Sequence, residues 1–245
     1  MFWVDDDSQP EAAAITIAWG DDIALAPIVL PDVPSEWVAH VIERGLRHAA
    51  DCGFDTVDLE VDVTDEVMRQ ILGSHGFVAA RGPDESSASV PVVEAWLAAT
   101  ERPELSALTA GYRLCNRLDT AVRPHHMIER SGPDVEARLK QTSLYRPDFD
   151  LLILDDADNL AAQGLFWFDP ATATGLVEPM RTQDDHQRRG LARHVLTAGL
   201  RLLADAGAER IKICFDKAND AASGLYLDVG FAPVKETVVF SGRAS

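Results

Sequence analysis

Residues 174–200 read TGLVEPMRTQDDHQRRGLARHVLTAGL, and the pattern changes twice along them. An apolar run, Leu176 to Met180, leads through a charged turn into Gln187-Arg188-Arg189-Gly190-Leu191-Ala192. From there the apolar spacing predicts a helix over Leu191 to about Ala206. The first amides of a helix have no intrahelical partner and carry the positive end of its dipole, so an anion is their natural occupant. Gly190 lets the backbone approach a ligand closely, and Ala192 leaves the first turn uncrowded. The stretch predicts a phosphate site, with a diphosphate as first hypothesis. A plain strand-to-helix turn with solvated arginines is the alternative, and the residues after the helix must decide between them.

Working outward, 245 residues with 47% hydrophobic side chains suffice for one large or two small domains. No run approaches the roughly 20 apolar residues of a membrane span, and MFWVDDDSQP is acidic where a signal peptide would be basic. A cytoplasmic protein without a membrane partner is expected. Cys52, Cys115 and Cys214 lack paired spacing, so neither a disulfide framework nor a metal site is predicted. The net charge of −18 argues against a nucleic-acid partner. Residues 1–100 hold 19 acids against 4 arginines, whereas the remainder is nearly balanced at 21 acids and 18 bases. An anionic ligand therefore belongs to the second half. The acidic first half reads as a solubilising surface, with steering of cationic substrates as the alternative.

In chain order, residues 12–19 and 23–30 predict two antiparallel strands joined at Gly20-Asp21-Asp22. Ser35 offers an N-cap to a helix that Gly53 ends, Thr56 to Val63 alternates as a strand, and a short helix covers about Asp65 to Ser74. Arg81 to Ser87 is turn-rich, Pro91 to Thr100 is strand or helix, and Arg102-Pro103 to Gly111 reads as a linker. Beyond it come a strand from Tyr112 to Leu118 and one or two helices between His125 and Tyr145. A hairpin over 151–154 and 164–168 and a third strand to Thr182 precede the loop and helix. A strand at Ile211 to Phe215, a helix at Ala221 to Val229 and a final strand at Val234 to Phe240 follow. The result is a mixed sheet with helices on both faces.

The chain also repeats itself. GLRHAADCGFDTVDLEVD at Gly45 to Asp62 aligns with GLRLLADAGAERIKICFD at Gly199 to Asp216, an ungapped offset of 154 with seven of eighteen residues identical. The same offset sets His40-Val41 on His194-Val195 and Gly76-Phe77 on Gly230-Phe231. Two copies of one α/β unit are therefore expected, divided as residues 1–100 and 101–245. Where the second copy has Gln187 to Ala192, the first has Val33-Pro34-Ser35-Glu36-Trp37-Val38, a carboxylate and an indole at the phosphate position. The first copy is degenerate, and one active site per chain follows.

Residues 111–240 resemble the GNAT N-acetyltransferase superfamily. Gln187-Arg188-Arg189-Gly190-Leu191-Ala192 looks like its Q/R-x-x-G-x-G/A acyl-CoA loop, and Asn219…Leu225-Tyr226…Gly230-Phe231 looks like its N-x-x-A-x-x-L-Y-x-x-x-G-F segment. The tandem arrangement is similar to that of mycothiol synthase-like acetyltransferases. The resemblance implies two GNAT-like mixed-sheet α/β domains in tandem, and acetyl-CoA as acyl donor with no metal. It implies that backbone amides from Arg188 to Ala192, with Gln187, Leu191 and an arginine at 188 or 189, hold the CoA pyrophosphate. The pantetheine arm would lie along the strand carrying Met180, Arg181 and Thr182, with the N–H of Met180 toward the thioester oxygen and Asn219 on a pantetheine amide. Pro179 has no N–H to give.

By its place in the motif Tyr226 is the acid for the departing thiolate, against a purely structural core tyrosine. Glu178, a carboxylate within an apolar run, is the candidate base, against a surface-facing strand position. His186 is a weaker candidate. His125-His126, without metal-ligand spacing, reads as the start of a helix lining the acceptor side. Asn219 serves equally as a helix N-cap. The reaction expected is acetyl transfer to the amine of a small molecule or peptide by direct attack. The alternatives are a non-catalytic acyl-CoA sensor and a transferase of a longer acyl group. The acceptor, whether small amine, aminoglycoside-like compound, amino-acid conjugate or protein N-terminus, stays open, as does monomer against homodimer.

Overall fold

The computed structural model describes residues 1–19, 22–80 and 90–244. Strands β1 (Phe2–Val4), β2 (Pro10–Trp19) and β3 (Asp22–Val29) lead into helix α1 (Ser35–Asp51), strand β4 (Thr56–Asp62), helix α2 (Glu66–Ser74) and the short β5 (Val78–Ala79). After β6 (Val92–Ala98) come β7 (Tyr112–Asn116), the one-turn helices α3 (Ile128–Ser131) and α4 (Val135–Leu139), and β8 (Asp150–Asp155). The chain continues through β9 (Leu160–Asp169), β10 (Thr174–Thr182), α5 (Leu191–Asp205), β11 (Arg210–Asp216), α6 (Asp220–Val229) and β12 (Ala232–Arg243).

These elements form two compact units, residues 1–93 with 216–218 and 235–245, and residues 94–215 with 219–234. Neither is contiguous in sequence. In the first unit the strands run β1-β2-β3-β4-β12, with β5 on β12. The strand that completes it is C-terminal, pairing antiparallel with β4 from Thr237↔Asp62 to Arg243↔Thr56. There the hydroxyls of Thr237 and Ser241 donate to Glu60 and Asp58, which gives partners to carboxylates on a half-buried strand. Its core is built from Leu25 of β3, Val41, Ile42 and Leu46 of α1, and Leu59 of β4.

In the second unit the order is β6-β11-β10-β9-β8-β7. Helix α5 lies so close to β9 that a Cβ on Gly199 would stand 2.0 Å from the Phe166 ring. At the position 154 residues earlier, a Cβ on Gly45 would meet Leu25 at 2.7 Å. The glycine shared by the two copies is thus a close helix-to-strand approach in each. The duplication extends to the caps. Asp65 accepts from the Met68 N–H at 2.8 Å to start α2, and Asn219 accepts from the Ala222 N–H at 3.0 Å to start α6.

Several local expectations are revised. Ser35 is not the N-cap of α1; Pro34 holds that position without a side-chain bond, and Ser35 is already helical. Residues 91–100 form strand β6 and then a 3₁₀ turn, Ala99–Glu101. The presumed linker is fastened to α5, because the Ser106 carbonyl lies 2.6 Å from His194 Nδ1 and the Ser106 N–H donates to Thr197 Oγ1 at 3.1 Å. Strand β7 stops at Asn116, whose side chain and that of Asp119 close a turn through bonds to Leu118 N and Asn116 N. The turn expected at Arg81 to Ser87 and the hairpin residues Gly20 and Asp21 lie outside the described residues.

Candidate functional site

Strand β10 positions the site because its two neighbours treat it differently. Against β9 it pairs antiparallel along its length, with a shift in register between Val177 and Met180. Against β11 it pairs in parallel only from Thr174↔Arg210 to Val177↔Ile213. Beyond Val177 the β11 side of β10 therefore has no strand among the described residues. The bulge falls at Glu178 and Pro179, whose peptide is cis, and Trp167 Nε1 donates to the Glu178 carbonyl at 2.6 Å.

A cavity of about 770 Å³ opens along that edge, lined by Met180, Arg181 and Thr182 of β10, by Gln187, Arg188, Gly190 and Ala192 of the loop and first turn of α5, and by Asn219 and Tyr226. Gly190 takes the N-cap position of α5 with φ +76° and supplies no side-chain bond to the helix amides. A glycine reaches this left-handed conformation without the penalty other residues meet. Arg188 is also left-handed, at φ +58°, so the loop curls just before the helix. Thr109 Oγ1 ties it down by donating to the Arg189 carbonyl at 2.7 Å. The uncapped α5 amides and the buried, unpartnered Thr182 Oγ1 both suit a ligand with phosphate at one end and hydrogen-bonding amides along its length.

The remaining loop residues separate by role. Arg188 lines the cavity, whereas Arg189 turns away, donating to Tyr112 Oη at 2.9 Å and the Asp185 carbonyl at 3.0 Å. Leu191 contributes its side chain to the core at 1% exposure. His186 does not line the cavity, and its Nδ1 sits 2.9 Å from the same Tyr112 hydroxyl. Asn219 uses its side-chain oxygen as the α6 cap and also borders the cavity. The cavity residues that the sequence did not single out include Asp184, Arg193 in the first turn of α5, and Asp228, which Arg193 bridges from α6. The helical spacing of Arg193 after Gly190 was the available signal.

Tyr226 is buried, with its ring 5.3 Å from Phe215 and 6.3 Å from Phe231. Burial, and then the charge of Glu178, push its phenol up to about 12. The surface of Glu178 is open, yet enough protein surrounds its carboxyl that desolvation raises it above the ordinary carboxylate value, with Arg130 acting in the opposite sense. The two side chains expected to handle protons therefore share one electrostatic neighbourhood.

A second group of polar residues gathers at the start of β8. Asp150 is fully buried, accepting from Tyr145 Oη at 3.0 Å and lying 3.0 Å from His125 Nε2 and 3.1 Å from His126 Nε2. Burial alone would raise its pKa, but the bonds and charges of the two histidines hold it below the usual value. His125 and His126 precede α3 and form no regular helix of their own. Separation in sequence hid this cluster, because Asp150 lies a loop and two helical turns away.

Residues 115–231 match the model of the Acetyltransferase (GNAT) family. No curated protein matches the sequence. Among solved structures, a GCN5-related N-acetyltransferase from Sphaerobacter thermophilus superposes with a TM-score of 0.72 at 13% identity, covering 99% of this chain and 80% of that one. A tandem GNAT protein from the clavulanic acid biosynthesis pathway gives 0.75 at 13% identity, covering 98% and 81%. A GCN5-related N-acetyltransferase from Kribbella flavida gives 0.58 at 15% identity, covering 90% and 80%. The GNAT acetyltransferase likeness thus covers residues 115–231, and the chain as a whole has a fold that it shares with a tandem GNAT protein.

Proposed function

We propose that the second unit transfers an acetyl group from acetyl-CoA to the amine of a small molecule by direct attack. The observation that carries this reading is the β10 edge left open beyond Val177, which meets the uncapped N-terminus of α5 and buried Tyr226 in one cavity. The α5 amides and Arg188 would hold the diphosphate of CoA, arginine's planar fork suiting phosphate oxygens. Gln187, Arg181, Thr182 and Asn219 border the path of the pantetheine arm. The N–H of Met180 would donate to the thioester oxygen as negative charge develops there. Arg189 and Leu191 act through the loop's shape, since their side chains point elsewhere.

Glu178, directly or through a water, would take the proton that the attacking amine loses. A desolvated carboxylate is the stronger base for that task. Tyr226 would give a proton to the departing thiolate, and a phenol pushed to about 12 stays protonated until then. The first unit is proposed as non-catalytic. At the start of α1, Trp37 stacks on His40 at 5.3 Å with Trp3 edge-on to both, where the second unit has its loop. No helix among the described residues is long and apolar enough to cross a membrane. The cytoplasm, with no nucleic-acid or membrane partner and a monomer or homodimer, remains the expected setting. The test is CoA thiol release from acetyl-CoA against an amine library: release with some amine supports transfer, and none with any amine argues for an acyl-CoA sensor.

A further inference from the structure

A second, smaller cavity of about 230 Å³ adjoins the first, and Arg181 lines both. Its other walls are His126 and Met127 before α3, Glu129 and Arg130 on α3, Gln163 of β9, and Gln183 after β10. Two polar atoms here are buried without a hydrogen-bond partner: Gln163 Oε1, on a residue 4% exposed, and His126 Nδ1, on a side chain 5% exposed. Buried polar groups are nearly always satisfied, because an orphan of either kind keeps the cost of leaving water without a bond in return. Two orphans on one small cavity point to a ligand that meets them. The Asp150 carboxylate stands 3.1 Å from His126 Nε2, which leaves Nδ1 as the ring nitrogen with no protein partner.

The charges say what kind of ligand. Arg130 and Arg181 form no ion pair among the described residues, so two guanidinium groups are available at the cavity. Glu129 supplies one carboxylate to the same walls, and the charge of Arg130 reaches Glu178 on the adjacent bulge. Unpaired arginines suit a planar carboxylate, and the acids suit an ammonium group. We propose that this second cavity is the acceptor pocket, and that it selects a small amine that also carries a carboxylate. Arg130 and Arg181 take the carboxylate, Gln163 and His126 meet the polar groups between, and the amine is directed toward Glu178. This rests on the acetyl-transfer reading, whose donor cavity it adjoins.

The experiment compares α-, β- and γ-amino acids with their primary amides as acceptors in the thiol-release assay. It uses the wild-type chain and Arg130→Gln, and acetyl-CoA binding is measured by calorimetry in each. The amides should lose about 10-fold or more in kcat/KM relative to the acids, because a neutral amide cannot form the charge-assisted, bidentate pair that arginine makes with a carboxylate. In Arg130→Gln that preference should disappear through a rise in acceptor KM, with acetyl-CoA affinity unchanged, which also shows that the variant is folded. Gln163→Leu should raise acceptor KM in the same way. Equal use of acids and amides by the wild type would overturn the acceptor assignment and leave acetyl transfer standing, and so would an Arg130→Gln variant that keeps the preference. Acetyl-CoA binding with no thiol release for any amine would overturn both.

Discussion

The carboxylate of Glu178, on the bulge of β10, and the phenol of Tyr226, on α6, lie near enough that the charge of the first raises the pKa of the second. The pair comes from elements 48 positions apart in sequence, brought together because β10 and β11 part after Val177. Burial, the larger cause, and this charge both favour the protonated phenol. Such an arrangement suits a proton donor and acceptor on opposite ends of one transfer.

If Tyr226 supplies the leaving-group proton, Tyr226→Phe should lower kcat by about 10²–10⁴-fold, the usual worth of a positioned general acid. Acetyl-CoA affinity by calorimetry should hardly change. A variant with full turnover would leave Tyr226 only its packing against Phe215 and Phe231.

Glu178 is raised from the ordinary carboxylate range by desolvation, so the base should be lost, and kcat/KM should fall, as pH drops through that raised value. Tyr226, near 12, should leave no alkaline limb below about pH 10. In Glu178→Gln the rate should fall and the limb due to Glu178 should vanish. An unchanged pH profile would put the base elsewhere.

The packing of α5 on β9 makes its own prediction. A Cβ at Gly199 would stand 2.0 Å from Phe166, so Gly199→Ala should destabilise the second unit by about 1–3 kcal/mol, the usual cost of overpacking. Urea denaturation would measure it, and a neutral change would mean that the helix can lift away freely.

One acetyl-CoA should bind per chain. At the start of α1 the stacked Trp37 and His40 stand where α5 has Leu191 and His194, and the Gly190 position falls on Glu36. A calorimetric stoichiometry of two would refute a single site.

What the sequence made legible was local or periodic. The α5 boundary, the Asn219 cap and the 154-residue repeat follow from turn chemistry and apolar spacing, which act over a few residues. Loop residues with opposite fates, Arg188 on the cavity and Arg189 on Tyr112, are indistinguishable in sequence, because the difference lies in one left-handed residue and a partner 77 positions away. The destination of β12 was hidden for the same reason. An alternating strand declares its two faces and not its neighbour, and only the pairing with β4 reveals where it goes. The Asp150 cluster and the orphaned Gln163 likewise depend on contacts between distant residues, which no spacing encodes.

The most direct test of acetyl transfer at this site is free-thiol release from acetyl-CoA across an amine library, with mass spectrometry of the products and Tyr226→Phe run alongside. The account predicts at least one acetylated amine, with release strongly reduced in the variant although acetyl-CoA still binds. Binding of acetyl-CoA without thiol release for any amine, or equal release by the variant, would contradict it.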